Sequence, residues 1–169
     1  PAWATERDSI SKKKNKSKKL KNQTRKVKIN GDVAIKSVGE SCAQYPTFSF
    51  FYLTTNKTYN FDFFGNNQKN ESSKTHQNCL SRLIEISKKT WKEWLQESKK
   101  VGCETLDYSR ININPTGINL VNDEKIYIFR FKTADNKDNG RILGFKKDKC
   151  PIYYIIGFDF NLSAYDHGS

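Results

Sequence analysis

Runs of apolar residues of strand length dominate the last third of the chain. Residues 126–131 (IYIFRF) and 141–145 (RILGF) are rich in β-branched and aromatic side chains, and the turn-rich segment 134–140 separates them. Residues 152–160 are almost wholly apolar, which predicts a central strand buried on both faces. Just upstream, Ile111 and Ile113 alternate with asparagine. We therefore expect the C-terminal third to form a β-sheet.

A second set of strand-like patterns precedes residue 65. Residues 48–53 (FSFFYL) are typical of a strand, and residues 59–64 (YNFDFF) alternate aromatic and polar side chains, as half-buried strands do. The five residues between them suit a hairpin loop. The sequence therefore predicts an N-terminal hairpin, followed by a polar loop over residues 65–74.

Two helices are predicted between residues 80 and 102. In the first, helical spacing places four residues on one face: Leu80, Leu83, Ile84 and Ser87. The second begins after Thr90, because Thr90 and Glu93 form the pattern of a capping box, and Gly102 ends it. Its apolar face comprises Trp91, Trp94 and Leu95. We expect the two tryptophans to pack in the core rather than to stack on bases.

The order of these elements predicts an α+β fold. The N-terminal hairpin and two helices are followed by antiparallel strands, which form a sheet with the helices packed on one face. This single domain is expected to span residues 45–167. Residues 1–38 contain many lysines and only scattered large apolar side chains, so they are predicted to be a separate, flexible, basic arm.

The predicted arm carries most of the net charge of +12. Residues 1–36 contain twelve Lys or Arg residues and three acidic ones. Such a segment stays extended and condenses on polyanions by releasing counterions, so nucleic acid is the favoured partner. The predicted contacts are Lys12, Lys13, Lys14, Lys16, Lys18, Lys19, Lys21, Arg25, Lys26 and Lys28. A solubilising tail and an anionic membrane surface are alternatives, and the second is disfavoured because the arm lacks an apolar face.

Several classes of function lack their usual sequence signature. The four cysteines include no C-x-x-C pair and only two histidines occur, so no metal site is predicted. The chain has no Gly-rich phosphate loop, no H-E-x-x-H motif and no serine nucleophile elbow. We also predict no membrane span and no signal peptide, because neither apolar pattern is present. Reduced thiols and a cytoplasmic location are the expectation.

Polar residues within or beside the apolar strands are the best candidates for chemistry. Arg130 interrupts one strand, Arg141 opens the next, and Tyr165, Asp166 and His167 follow the last. A charged residue in an apolar strand needs a carboxylate, a water-filled cleft or an anionic ligand. The alternatives are a solvent-facing Arg130, a loop-edge Arg141 and a frayed end that includes His167.

The C-terminal pattern resembles that of RelE/HigB-type toxins. Residues 126–130 (IYIFR), 141–145 (RILGF) and 152–159 (IYYIIGFD) are similar to the last strands of that family, and residues 80–102 are similar to its helical part. The resemblance covers about residues 76–167. It implies a small α+β fold, no metal or other cofactor, and endoribonuclease activity on mRNA at the ribosome. It also implies a toxin–antitoxin or mobile-element system, with an antitoxin as a possible partner.

The resemblance further implies roles for particular residues. The family cleaves RNA by in-line attack of a 2′-hydroxyl on the neighbouring phosphate, which requires cations and an acid–base pair. Three cations would hold the phosphate: Arg130, Arg141 and Lys146. Tyr165 or His167 would donate a proton, and Glu104 or His167 would accept one.

A non-enzymatic binding module is the rival hypothesis. Such a protein, acting as a mobile-element regulator or inhibitor, would use the basic arm on nucleic acid or the aromatic hairpin on a protein partner. The two hypotheses differ in geometry. Cleavage requires Arg130, Arg141 and His167 to open on one cleft, whereas a binding module allows them to face different directions.

Overall fold

A computed structural model describes residues 44–64 and 69–167, including all their side chains except those of Phe64 and residues 69–72. The predicted basic arm and its nucleic-acid contacts, Lys12 to Lys28, lie outside the described residues, as does Cys42.

Five strands form one mixed sheet. They are β1 (Thr47–Ser49), β2 (Cys103–Asp107), β3 (Lys125–Phe131), β4 (Gly140–Phe145) and β5 (Ile152–Asp159). Their order across the sheet is β1-β5-β4-β3-β2, with β1 parallel to β5 and the other pairs antiparallel. The prediction of an α+β fold is confirmed, and β5 is a central strand in which only Ile152 and Tyr154 are not fully buried.

Two helices cover one face of this sheet. They are α1 (Lys69–Ile86) and α2 (Trp91–Gln96). The core on this face joins Leu83 and Ile86 of α1 to the two tryptophans of α2 and to Phe129 of β3. The prediction that the helices pack on one face of the sheet is therefore confirmed.

The opposite face is covered by irregular segments. Ile111 and Ile113 pack there against Ile126, Ile128 and other apolar side chains of the strands, and the C-terminal segment adds Ala164 and Tyr165. Ile111 and Ile113 are buried without belonging to a strand. This face therefore holds the C-terminal residues against the sheet.

The predicted N-terminal hairpin is wrong. Within residues 48–53 only the first two belong to β1, which pairs in parallel with β5, and residues 59–64 contain a 3₁₀ helix at Phe61–Phe64. The side chains of Asn56 and Asn60 accept hydrogen bonds from the backbone N–H groups of Thr58 and Asp62. Such local bonds satisfy the backbone in turns and compete with strand pairing.

The first helix is longer than its apolar pattern predicts. It begins at Lys69, inside the segment predicted to be a polar loop. Among its described side chains, the buried ones are Thr75, Cys79, Leu83 and Ile86. Leu80 and Ile84 are exposed instead, so the predicted apolar face is turned partly to solvent.

The capping box of the second helix is confirmed. The Thr90 hydroxyl accepts a hydrogen bond from the backbone N–H of Glu93, and the Glu93 side chain accepts one from the backbone N–H of Thr90. Trp91 and Trp94 are buried, as predicted, whereas Leu95 is exposed. The helix ends at Gln96, before Gly102.

Two further findings bear on the sequence predictions. Cys79 and Cys103 are buried free thiols, and Cys150 is a partly exposed one. No helix among the described residues is long and apolar enough to cross a membrane.

Candidate functional site

A row of four charged residues crosses the sheet on the face opposite the helices. The strand registers place Asp159 of β5 opposite Arg141 of β4, and Arg141 opposite Arg130 of β3. Glu104 of β2 lies opposite Ile128, so it is the diagonal neighbour of Arg130 on the same face. Two arginines are therefore neighbours in the sheet, with an acidic residue on either side of them.

Glu104 connects Arg130 to the C-terminal segment. Its Oε2 atom lies 3.5 Å from Nη2 of Arg130 and accepts a hydrogen bond of 3.3 Å from the hydroxyl of Tyr165. The Arg130 side chain is 28% exposed and that of Glu104 is 15% exposed, so the pair is partly screened from water. Arg130 thus has a carboxylate partner and does not simply face solvent.

Arg141 is a buried cation. It is 4% exposed, and its Nη1 atom donates to the carbonyl oxygens of Asp138 and, at 2.9 Å, Gly140. The Nε atoms of Arg141 and Arg130 are buried and have no hydrogen-bond partner among the described residues. A buried guanidinium with incomplete hydrogen bonding is energetically costly unless an anion completes its environment.

Asp159 shapes the segment that follows β5. Its carboxylate is fully buried and accepts three backbone hydrogen bonds, from the N–H groups of Asn161, Ser163 and Ala164. Leu162, within this turn, has the left-handed φ of 61°. The turn directs the chain back across the sheet and brings Tyr165 and His167 to the row of charges. His167 is thereby placed in contact with the ring of Tyr165.

The ring of Tyr165 packs on that of His167, with their centroids 4.0 Å apart. Burial raises the pKa of Tyr165 above its ordinary value of 10, and a hydrogen bond with Arg141 lowers it in part. Burial lowers the pKa of His167 below its ordinary value of 6.5, and the positive charge of Arg141 lowers it further. At neutral pH the tyrosine therefore keeps its proton and the histidine is uncharged.

These residues line one cavity of about 370 Å³, which we call the C-terminal cavity. Its lining residues are Lys99, Glu104, Leu106, Arg110, Arg130, Arg141, Leu162, Tyr165, Asp166 and His167. Four of the charged side chains are Lys or Arg and two are acidic, so the cavity suits an anion. All five residues predicted to be catalytic, Arg130, Arg141, Tyr165, His167 and Glu104, are in this lining.

Lys146 is not part of the cavity, contrary to the prediction that it holds phosphate there. It follows the last residue of β4, five positions from Arg141, so about 16 Å of extended strand separates their backbones. Its Nζ atom instead lies 5.8 Å from the centroid of a Trp91 ring. Lys146 therefore belongs to the surface near α2.

Three residues of this region have no role predicted from the sequence. Lys99 and Arg110 are in the cavity lining, and Asp159 forms the turn behind it. The signal for Asp159 was available, because it is the one charged residue in the apolar segment 152–160. Lys99 and Arg110 lie in irregular parts of the sequence, where hydrophobic periodicity carries no information about orientation.

Within the described part of the chain, no three His, Cys, Asp or Glu side chains are grouped so that they could hold a metal ion.

Comparison with known proteins adds no further assignment: no family model, curated protein or solved structure matches the chain. The resemblance to RelE/HigB-type toxins stays a prediction from the residues.

Proposed function

We propose that the protein is an endoribonuclease that cleaves RNA in the C-terminal cavity without a metal ion. The observation that carries this proposal is the convergence of Arg130, Arg141, Tyr165, His167 and Glu104 on that cavity. Two fixed cations beside an acid–base pair are the groups that phosphodiester transesterification requires.

The two arginines would bind the scissile phosphate. Because they are neighbours across β3 and β4, their guanidinium groups can contact different oxygens of one phosphate. The charge on those oxygens increases as the 2′-hydroxyl attacks, so preorganised donors stabilise the transition state more than the ground state. Arg141 is held by two carbonyl oxygens, which reduces the reorganisation needed during the reaction.

The uncharged His167 would accept the proton of the 2′-hydroxyl, and the protonated Tyr165 would donate a proton to the leaving 5′-oxygen. A bond forms between the 2′-oxygen and phosphorus while the bond from phosphorus to the 5′-oxygen breaks. The products are a 2′,3′-cyclic phosphate and a 5′-hydroxyl. One proton has moved from the substrate to His167, and another has moved from Tyr165 to the product. In the structure the Tyr165 hydroxyl donates this one proton to Glu104, so during the reaction it would turn from Glu104 to the leaving oxygen.

The basic N-terminal segment would add affinity for RNA that does not depend on sequence. Its twelve cations lie within residues 1–36, and cations of this kind contact phosphates along a strand without reading bases. Ribosome-bound mRNA is the target that the resemblance to RelE/HigB-type toxins implies, and an antitoxin or other protein partner would accompany it.

The test is a cleavage assay on a labelled single-stranded RNA with EDTA present. Arg141→Lys keeps the charge but loses the guanidinium fork, and His167→Gln and Tyr165→Phe each remove one proton-transfer group. We expect each variant to lower the single-turnover rate by about 10²–10³-fold, as measured for comparable donors and acid–base groups.

Lys146→Ala is the matched control, because it removes a cation outside the cavity and should leave the rate unchanged. Circular dichroism and urea unfolding would show that each variant is folded. If wild-type protein binds RNA but leaves it intact, the rival hypothesis of a non-enzymatic binding module is correct. Equal activity in all the variants would place the chemistry elsewhere.

A further inference from the structure

A second cavity, of about 330 Å³, lies next to the first and is not used by the proposed reaction. We call it the α1 cavity. Its lining residues are Asn78, Ser81, Arg82 and Glu85 of α1, together with Lys100, Val101, Arg130, Phe131, Lys132 and Asp138. Arg130 lines both cavities, so they lie on either side of this residue.

The end of β3 explains why the two cavities are neighbours. The first residue of β2, Cys103, lies opposite Phe129. Arg130 and Phe131 therefore extend past the paired part of β2, while on their other side they still pair with Arg141 and Gly140 of β4. The helix face and the opposite face of the sheet are thus connected around the edge of Arg130 and Phe131, which is not paired with β2.

The α1 cavity also has an excess of positive charge. Four of its lining residues are Lys or Arg and two are acidic. One of the acids, Glu85, is already paired with Arg82 at 2.7 Å. Among the described residues, Lys100 and Lys132 are exposed and neither has a carboxylate partner. Two lysines are therefore available to an anion.

The wall behind these lysines is fixed. The Nη2 atom of Arg82 donates to the carbonyl oxygen of Val101, and its guanidinium carbon lies 5.0 Å from the centroid of a Trp94 ring. The amide nitrogen of Asn78 donates at 3.1 Å to the carbonyl oxygen of Lys132, which ties the end of β3 to α1. The backbone positions of Lys100 and Lys132 are thus set by the fold, while their side chains stay free to reach a ligand.

We propose that the α1 cavity is a subsite for a neighbouring backbone phosphate of the same single-stranded RNA. This inference rests on the proposed function, because it takes the scissile phosphate to lie in the C-terminal cavity. A strand that passes Arg130 carries a phosphate on each successive nucleotide, so the next cationic cavity receives the next phosphate. Lys100 and Lys132 are the residues that bind it, and as phosphate contacts they position the strand without selecting bases.

The experiment measures binding of full-length protein to RNA that cannot be cleaved. The probes are a fluorescent hexauridylate with 2′-O-methyl groups throughout and the corresponding dinucleotide, which has a single internucleotide phosphate. The Lys100→Ala/Lys132→Ala variant is compared with Lys57→Ala/Lys92→Ala, which removes the same charge from exposed positions outside both cavities. The N-terminal segment is identical in both variants and cancels in the comparison.

We expect the Lys100→Ala/Lys132→Ala variant to bind the hexanucleotide about 10-fold more weakly than the control variant and the dinucleotide equally well. The dependence of log affinity on log salt should become shallower by about 0.7 for each phosphate that the variant no longer neutralises. Equal affinities of the two variants for the hexanucleotide would overturn the subsite.

Cleavage of the unmodified hexanucleotide separates the two proposals. If the two variants differ in RNA binding as expected but the wild-type protein does not cleave RNA, the subsite is retained and the proposed function is overturned. If the wild-type protein cleaves the hexanucleotide but the two variants bind it equally well, the proposed function is retained and the subsite is overturned. Wild-type protein that binds neither probe would overturn both.

Discussion

Arg130 and Arg141 are cross-strand neighbours of like charge, an arrangement that destabilises a sheet unless other groups compensate. Repulsion between like charges is stronger in a partly buried site than in water, because the effective dielectric constant is lower. Glu104 and Asp159 flank the pair and offset part of this repulsion. Each arginine still has a buried Nε–H group without a hydrogen-bond partner among the described residues, and a phosphate oxygen would accept that bond.

Asp159→Asn tests whether the turn after β5 holds the site together. An asparagine keeps one of the two oxygens and loses the charge, so we expect a loss of about 2–3 kcal/mol in the free energy of unfolding, since hydrogen bonds to charged groups are the stronger ones. Urea unfolding would measure this. Asp123→Asn, at an exposed position, is the control and should change little. Equal stability of the two variants would contradict the assigned role of Asp159.

The pH dependence of cleavage tests the assignment of the base. His167 must be uncharged to accept a proton, and its pKa is lowered below 6.5 by burial. The rate should therefore rise with pH below 6.5, reach a plateau near neutrality, and fall only above pH 10, where Tyr165, with its raised pKa, loses its proton. A rate that instead falls as pH rises through the acid range would show that His167 acts as the acid.

At the scale of residues, much of the site could be predicted from the sequence. Arg130 and Arg141 stand out because charge is costly within apolar strands. Their position opposite each other depends on the register of β3 and β4, which the eight-residue loop over residues 132–139 does not fix. The partnership of Arg130 with Glu104 could not be predicted, because it depends on the register of β2, a strand whose sequence (CETLD) has little strand character.

At the scale of elements, strong hydrophobic and capping patterns led to correct predictions. The errors arose where polar side chains form local hydrogen bonds with the backbone. The strands β3, β4 and β5 and the capping box of α2 carry unambiguous signals. The segment before α1 has strand-like alternation, yet Asn56 and Asn60 form turns that favour 3₁₀ structure. The N-terminal half of α1 lacks an apolar face, and tertiary contacts such as the hydrogen bond from Ala134 N to Thr75 Oγ1 stabilise it.

Thr90→Ala tests the importance of the capping box. The substitution leaves the Glu93 backbone N–H without its side-chain acceptor, and we expect a loss of about 1 kcal/mol in the free energy of unfolding. Chemical denaturation provides the measurement. The control is Thr55→Ala, an exposed threonine outside the helices. A loss of under a few tenths of a kcal/mol relative to that control would show that the packing of the two tryptophans alone holds α2 in place.

At the scale of the whole molecule, the chain combines a folded domain with a highly basic segment. Two cavities with excess positive charge and a run of cations before the domain both favour a polyanion. The charge of residues 1–36 was evident from composition alone. The neighbouring cavities were not, because they depend on how the end of β3 extends past β2.

Removal of residues 1–38 tests the contribution of the basic segment. We expect weaker RNA binding and a shallower dependence of affinity on salt, with the single-turnover rate at saturating RNA unchanged, because under the proposed function the segment would contact phosphates outside the site. Fluorescence anisotropy over a series of salt concentrations would measure the first two quantities. An unchanged salt dependence would show that this segment does not bind RNA.

The most direct test of the central claim is the chemistry of the cleaved RNA ends. Wild-type protein would be incubated with EDTA and an RNA whose cleavage site carries a single 2′-deoxynucleotide, beside the all-RNA control. We predict a 2′,3′-cyclic phosphate and a 5′-hydroxyl from the control and no cleavage at the 2′-deoxy position, because the nucleophile is missing there. Ends with a 3′-hydroxyl and a 5′-phosphate, cut at the same rate in both substrates, would contradict transesterification in the C-terminal cavity.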